Sequence, residues 1–440
     1  MRKKRAYSPM HRFAVFPAAT PGELPMKTDA SQPPRRTVMS EREFIVFAAM
    51  LTALTALGID IMLPAMPVIA ATFALADTND RQAIVAVYML GFAIGHLFFG
   101  PLADRFGRVR PLLIALLMVF LTSLAAAQAP EYSWLLVARF VQGLSSAGAR
   151  VIAIAAIRDR FGGREMARVM SLVMSIFIIV PVVAPGIGGV LVAYGLWKWT
   201  FGAVGLMAIG LFVWARARLT ETLAPQDQAP LRPGYIARSM LDIATDRLTL
   251  GYATAQGLLL AAIIAYLGSA QQIFGELYEL GELFPVAFSS MALGLVAASL
   301  INSRIVRRLG MRPISRVAGV AFVAVAGGHL LISLGGTPPL LVFAPLLAAN
   351  LLLFGLIMPN LNALAMEPHG HRAGTAAAFL GFYTTALGAI VGGWIGQLYD
   401  GTVQPLLSGY LAIGVFMLVF MWIADSGRGP MAAARLPTDA

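Results

Sequence analysis

The sequence predicts an all-α membrane protein of twelve transmembrane helices in two pseudo-symmetric six-helix bundles. Three observations lead there: a scarcity of charge, apolar runs of membrane-spanning length, and a faint internal repeat. Of 440 residues, 58% are hydrophobic and 12% charged, about half the charged share of a soluble protein. A bilayer core about 30 Å thick takes a run of about 20 apolar residues, and such runs recur along almost the whole chain.

Charged or Gly/Pro-rich breaks delimit predicted helices over 44–71, 82–102, 109–128, 133–156, 166–192 and 199–215 in the first half. The second half gives 248–271, 284–303, 313–334, 340–365, 372–397 and 405–424. Residues 1–40 are polar, basic and Pro-containing, and are expected to form a disordered cytoplasmic extension. They lack the uninterrupted apolar stretch of a signal peptide, and Met26 and Met39 offer later starts before the first helix. The expected domains are an N-terminal bundle over 41–215, a central cytoplasmic loop over 216–247 with three prolines, a C-terminal bundle over 248–425, and a cytoplasmic tail over 426–440.

Basic residues give the expected orientation. With the N-terminus cytoplasmic, seven cytoplasmic segments hold 29 of the 33 Lys and Arg, and the outer loops hold only Arg81 and Lys198. That asymmetry follows the positive-inside pattern and places both termini in the cytoplasm. It also accounts for the net charge of +11 without nucleic acid. The chain has no cysteine, hence no disulfides.

The two halves echo each other at offsets close to 203 residues. Arg307-Arg308-Leu309-Gly310 follows helix 8 as Asp104-Arg105-Phe106-Gly107 follows helix 2, and Gly392-Gly393 in helix 11 parallels Gly188-Gly189 in helix 5. Two six-helix halves around a central loop imply a substrate cavity between them near mid-membrane.

Ionisable groups inside a membrane are costly unless paired or wetted, so they mark function. Asp60 is the one acid well inside a predicted helix, roughly 24 Å from the cytoplasmic edge at 1.5 Å rise per residue. Arg139 falls at about the same depth. Burial and a nearby cation pull a carboxyl's pKa in opposite directions, so the pair is a proton-coupling candidate. It also reads as a fixed ion pair that sets helix packing. Arg150 shares a helix face with Arg139, since eleven residues at about 100° overshoot three turns by about 20°. Arg150 is read either as cavity lining or as a snorkelling residue at the inner interface. Tyr88, Gln142, Gln271 and Gln272 are further cavity candidates, each equally readable as an interhelical hydrogen bond.

Gly100, Asp104, Arg105, Gly107 and Arg108 form a short, basic loop suited to a tight cytoplasmic link between helices 2 and 3. Helix 5 carries Pro181, Pro185, Gly188 and Gly189, which permit kinks and close helix contact. His96, His329, His369 and His371 do not build a ligand set. No zinc, phosphate-loop or dinucleotide motif occurs, so no enzyme, metal or cofactor is expected.

These motifs resemble the major facilitator superfamily over residues 40–425. Gly100 to Arg110 is similar to its loop between helices 2 and 3, with Val109 where a basic residue is usual. Arg139-Phe-Val-Gln142-Gly143 resembles the helix 4 motif whose arginine is associated with proton coupling. Pro181 to Gly189 resembles the helix 5 motif of antiporters. Leu54 to Pro67, with Asp60, and His371-Arg-Ala-Gly374-Thr375 are similar to the Bcr/CflA drug:proton antiporters, though His96 stands where a glutamine is expected. The resemblance implies a multi-pass protein of the bacterial inner membrane, monomeric, that exports chloramphenicol-like or bicyclomycin-like molecules against protons. Two other readings stand beside it: a proton-coupled uptake carrier for a small metabolite, and a membrane sensor without transport.

Overall fold

The computed structural model describes residues 39–224, 226, 228 and 233–426. Among these, twelve helices are long and apolar enough to cross a membrane. Spans 1 to 6 are Glu41–Thr72, Thr78–Phe106, Val109–Ala127, Tyr132–Arg160, Arg168–Ala193 and Trp199–Arg218. Spans 7 to 12 are Arg247–Leu277, Gly281–Leu309, Met311–Ser333, Leu340–His369, Gly374–Gln397 and Gln404–Ser426. The expected extension, apart from its last residues, and almost all of the expected tail lie outside the described residues.

Span 1 starts at Ser40, whose hydroxyl accepts from the Glu43 N–H at 3.2 Å, with Glu41 and Glu43 in the first turn, where a helix dipole favours acids. Its α-helix ends at Asp60. Pro64 and Pro67 then open a 3₁₀ turn over Leu63–Ala65 and a short helix over Met66–Thr72, because proline lacks the N–H that would continue the ladder. Asp60 therefore sits at the break. Span 7 ends in a π-helical turn over Gln271–Leu277.

Packing repeats between the halves. Spans 2 and 4, 1 and 5, and 3 and 6 pack together as do 8 and 10, 7 and 11, and 9 and 12; the halves meet through 2 with 11 and 5 with 8. The glycine repeats explain this match. Gly107 and Gly310 end spans 2 and 8 at φ of 82° and 78°, a left-handed conformation that glycine adopts without steric cost. A Cβ on Gly188 would lie 2.0 Å from the Ile61 carbonyl oxygen of span 1, and one on Gly392 2.6 Å from the Ala261 oxygen of span 7. Their neighbours face the other half: a Cβ on Gly189 would lie 2.9 Å from Pro285, and one on Gly393 3.0 Å from Ala86.

Large apolar side chains such as Trp134, Val137, Leu206, Leu341 and Trp422 are exposed around the outside, as a lipid-facing surface requires. The central loop carries a helix of its own, Pro233–Thr245, opened by a proline at its first position, where the missing N–H is no loss.

Candidate functional site

A cavity of about 870 Å³ lies between the halves. At its mouth are Asp104, Arg158 and Met366, at the end of the bundle where span 1 begins (the basic end); at its deep end are Asp60, Tyr266 and Phe288. Most of the wall is apolar. Asp60 and Arg150 are its charged groups at depth, with His96 beside them and Gln256, Thr384 and Thr385 on the C-terminal half.

The far end is sealed by polar contacts that cross between the halves. Arg81 meets Glu276 at 2.7 Å. Gln82 Nε2 donates to Gln272 Oε1 at 2.6 Å, Gln272 Nε2 donates to Asn79 Oδ1 at 2.7 Å, and Asn79 Nδ2 donates to the Tyr399 carbonyl at 2.7 Å. Gln397 Nε2 returns to the Asn79 carbonyl at 2.8 Å. At the basic end, the ion pairs Arg108–Asp104, Arg108–Asp159, Arg312–Glu367 and Arg316–Asp425 each lie within one half. The molecule is open at the basic end and closed at the other.

Asp60 is buried and lines the cavity. Among the described residues, no cation pairs with it within 4.0 Å, so the fixed Asp60–Arg139 ion pair is absent. Arg139 is enclosed behind Tyr88, its guanidinium carbon 4.3 Å from that ring's centre. It donates to Gln142 Oε1, and Gln142 donates to Ser123 at 2.6 Å, while Arg139 Nε and Nη2 have no hydrogen-bond partner among the described residues. Tyr88 donates to the Thr55 carbonyl of span 1 at 3.2 Å. A Cβ on Gly58 would come 2.9 Å from its hydroxyl. Tyr88 is thus wedged between Arg139 and the turns of span 1 that precede Asp60.

Of the expected cavity residues, Arg150 lines the wall, flanked by the rings of Phe177 and Phe92 at 5.6 and 5.9 Å. Tyr88, Gln142, Gln271 and Gln272 do not line the cavity in this conformation. Tyr88 and Gln142 are packed among spans 1, 3 and 4, and Gln271 and Gln272 lie in the π-helical turn at the far-end seal. Neighbouring side chains satisfy Gln142 and Gln272, which is the interhelical alternative each residue carried.

The expected loop between spans 2 and 3 is shorter than its sequence implied: span 2 stays helical to Phe106, so Gly100, Asp104 and Arg105 sit in its last turns, and only Gly107 and Arg108 link it to span 3. Gly100 and Asp104 line the cavity mouth and Arg105 is exposed. Arg108 is buried, holding Asp159 at 2.7 Å and Asp104 at 2.6 Å. Burial works against the Arg108 charge, but the hydrogen bonds it donates to Asp159 and Asp104 outweigh it and raise its pKa. Glu221 of the central loop accepts from the Arg108 N–H at 2.7 Å and the Val109 N–H at 3.2 Å, capping span 3. In span 5, Pro181 lines the cavity, and Ser289 of span 8 donates to the Val182 carbonyl at 2.7 Å. That bond lies beside the carbonyl of Pro181, which the missing N–H of Pro185 leaves free.

Sequence reasoning missed Gln256, the Arg81–Glu276 latch, Asp159 and Glu221, and it set His96 aside. His96 lines the cavity, its Nδ1 2.9 Å from the Phe92 carbonyl. One available signal was that the two outermost-loop cations, Arg81 and Lys198, are so few that each needed a reason.

Residues 48–393 match the Major Facilitator Superfamily. An uncharacterised MFS-type transporter of Bacillus subtilis, YdgK, is 31% identical over 361 residues, covering 81% of this chain and 89% of its own length. A bicyclomycin resistance protein homolog of Haemophilus influenzae is 29% identical over 372 residues, covering 83% and 91%. A D-xylose-proton symporter crystal structure shares the fold with a TM-score of 0.71 at 14% identity, covering 86% and 96%.

Proposed function

The chain belongs to the major facilitator superfamily of membrane transporters, and on that premise we propose that it exports small drug-like molecules in exchange for protons by alternating access. Its basic end faces the cytoplasm under the positive-inside pattern, so the present conformation is inward-open. The Haemophilus relative is named for bicyclomycin resistance, which favours small antibiotics as cargo and export as the direction.

The observation that carries the reading is the position of Asp60: a carboxyl at the closed end of the cavity, at a helix break, without an ion-pair partner among the described residues. Such a group exchanges a proton with whichever side the cavity opens to. Arg139, held behind Tyr88, tunes its proton affinity, and a shift of span 1 against span 4 alters that influence. Spans 5 and 8, and 2 and 11, carry the seam on which the halves rock. The protein acts as a monomer, since the cavity is complete within one chain.

Acidified inverted vesicles containing the wild type release protons when a panel of antibiotics is added, and Asp60→Asn vesicles do not. Release that persists in Asp60→Asn moves the coupling site elsewhere. No response to any compound removes the export reading and turns attention to uptake.

A further inference from the structure

The deep cavity contains a cation that the protein itself does not neutralise. Arg150 lines the wall and, among the described residues, no carboxylate lies within 4.0 Å of it. The two acids that share the cavity are not its partners: Asp104 is held by Arg108 at 2.6 Å, and Asp60 has no ion pair. Its neighbours are instead the rings of Phe92 and Phe177. Aromatic faces attract a cation but accept none of its five N–H donors. A guanidinium in an apolar cavity therefore presents unfilled donors to whatever occupies the space.

We propose that Arg150 is a substrate-docking residue and that the cargo is an amphipathic organic monoanion, an aryl or alkyl carboxylate in its simplest form. The carboxylate accepts from Arg150, the planar acceptor geometry that a guanidinium fork matches. The apolar body lies along Met89, Phe288, Leu295 and Met358. Gln256, buried on the C-terminal half with its amide oxygen lacking a donor, supplies a polar contact to the other end of the molecule. A cavity of about 870 Å³ suits a molecule of that size. Arg150 and Asp60 then divide the work, one holding cargo charge and the other the proton.

This inference specifies the cargo of the exporter proposed above and rests on that reading for its direction, but its test does not depend on proton exchange. Full-length protein in nanodiscs is titrated with three matched pairs, each a carboxylate and its neutral carboxamide, built on naphthalene, biphenyl and quinolone scaffolds. The wild type binds at least one carboxylate about ten-fold or more tightly than its carboxamide, as a charge-assisted bond implies. Arg150→Gln abolishes the difference by weakening carboxylate binding far more than carboxamide binding, and Arg150→Lys retains part of the difference. Arg150→Lys also guards against a folding defect. Equal affinities in the wild type, a preference that survives in Arg150→Gln, or no binding by any pair overturns the proposal. Carboxylate preference together with drug-insensitive proton release would overturn the exporter reading and leave the docking site standing.

Discussion

Arg81 and Glu276 meet at 2.7 Å across the seam between the two six-helix halves, on the side opposite the cavity mouth. Glu276 is half-exposed, which limits such a pair to about 1 kcal/mol or less. Gln272 contributes more, because it is buried and serves Gln82 and Asn79 at once. Its loss strands two partners at about 1–3 kcal/mol each. Gln272→Ala is therefore expected to favour the alternate, outward-open state more strongly than Arg81→Ala. The chain has no native cysteine, so a single Ile263→Cys in the cavity wall reports the state directly. Labelling by an impermeant maleimide from the far side rises modestly in Arg81→Ala and more in Gln272→Ala. The reverse order would mean that the ion pair, not the amide network, holds the seal.

The glycine pair of span 5 separates fold from motion. A Cβ at Gly188 would meet a backbone oxygen of its own half at 2.0 Å, while at Gly186 it would meet nothing within 4 Å. A backbone atom cannot rotate away, so overpacking costs about 1–3 kcal/mol or more. Gly188→Ala lowers the melting temperature in detergent and Gly186→Ala does not. Gly189→Ala crowds Pro285 across the seam. It is expected to leave melting near wild type and to reduce cavity labelling from the basic end.

Much of this was legible in the sequence, for a physical reason. Asp60, Arg139 and Arg150 stand out because a charge in an apolar run is expensive wherever it points. Gln142 and Gln272 do not obey that logic. An amide is satisfied by one neighbour on another span, and sequence alone does not tell which neighbour lies opposite. Tyr88 failed as a cavity residue for the same reason: its hydroxyl bonds a span 1 carbonyl and its ring covers Arg139. Gln256 and the far-end seal depend on helix rotation and on contacts 190 or more residues apart, which no local pattern encodes. The glycine echoes, by contrast, were readable because close approach admits only small side chains.

Arg108 is held by three side-chain bonds: Nε and Nη2 to Asp159, and Nη1 to Asp104. A lysine amine cannot reproduce that fork. Arg108→Lys should loosen the link between spans 2 and 3, read as faster amide exchange at Val109 and Arg110, with Glu221→Gln giving a similar but smaller change. Unchanged exchange in Arg108→Lys would show that Glu221 capping alone holds the turn.

Arg139 gives a prediction that divides stability from activity. It is fully buried, and among the described residues two of its guanidinium nitrogens lack partners and no carboxylate pairs with it within 4.0 Å. An unpartnered buried polar group costs about 1–3 kcal/mol, and replacing such a charge by an apolar residue is often neutral or stabilising. Arg139→Met is expected to melt at or above the wild-type temperature and yet lose drug-driven proton release. Loss of both would make Arg139 a packing residue.

The proposed cargo charge has an electrical consequence. Carrying a monoanion outward moves one more positive charge inward, in net terms, than carrying its neutral amide, whatever the number of protons exchanged. Each charge couples to the membrane potential at about 2.3 kcal/mol per 100 mV, so the limiting gradient of the anion responds more steeply to voltage. In proteoliposomes clamped with valinomycin and potassium, the charge moved per carboxylate should exceed that per carboxamide by one. A difference of zero would mean that the carboxylate travels protonated, with its proton rather than Arg150 cancelling its charge. Arg150→Gln tests the same point: it should slow carboxylate flux selectively, because an anion without its guanidinium must enter a largely apolar cavity unpaired.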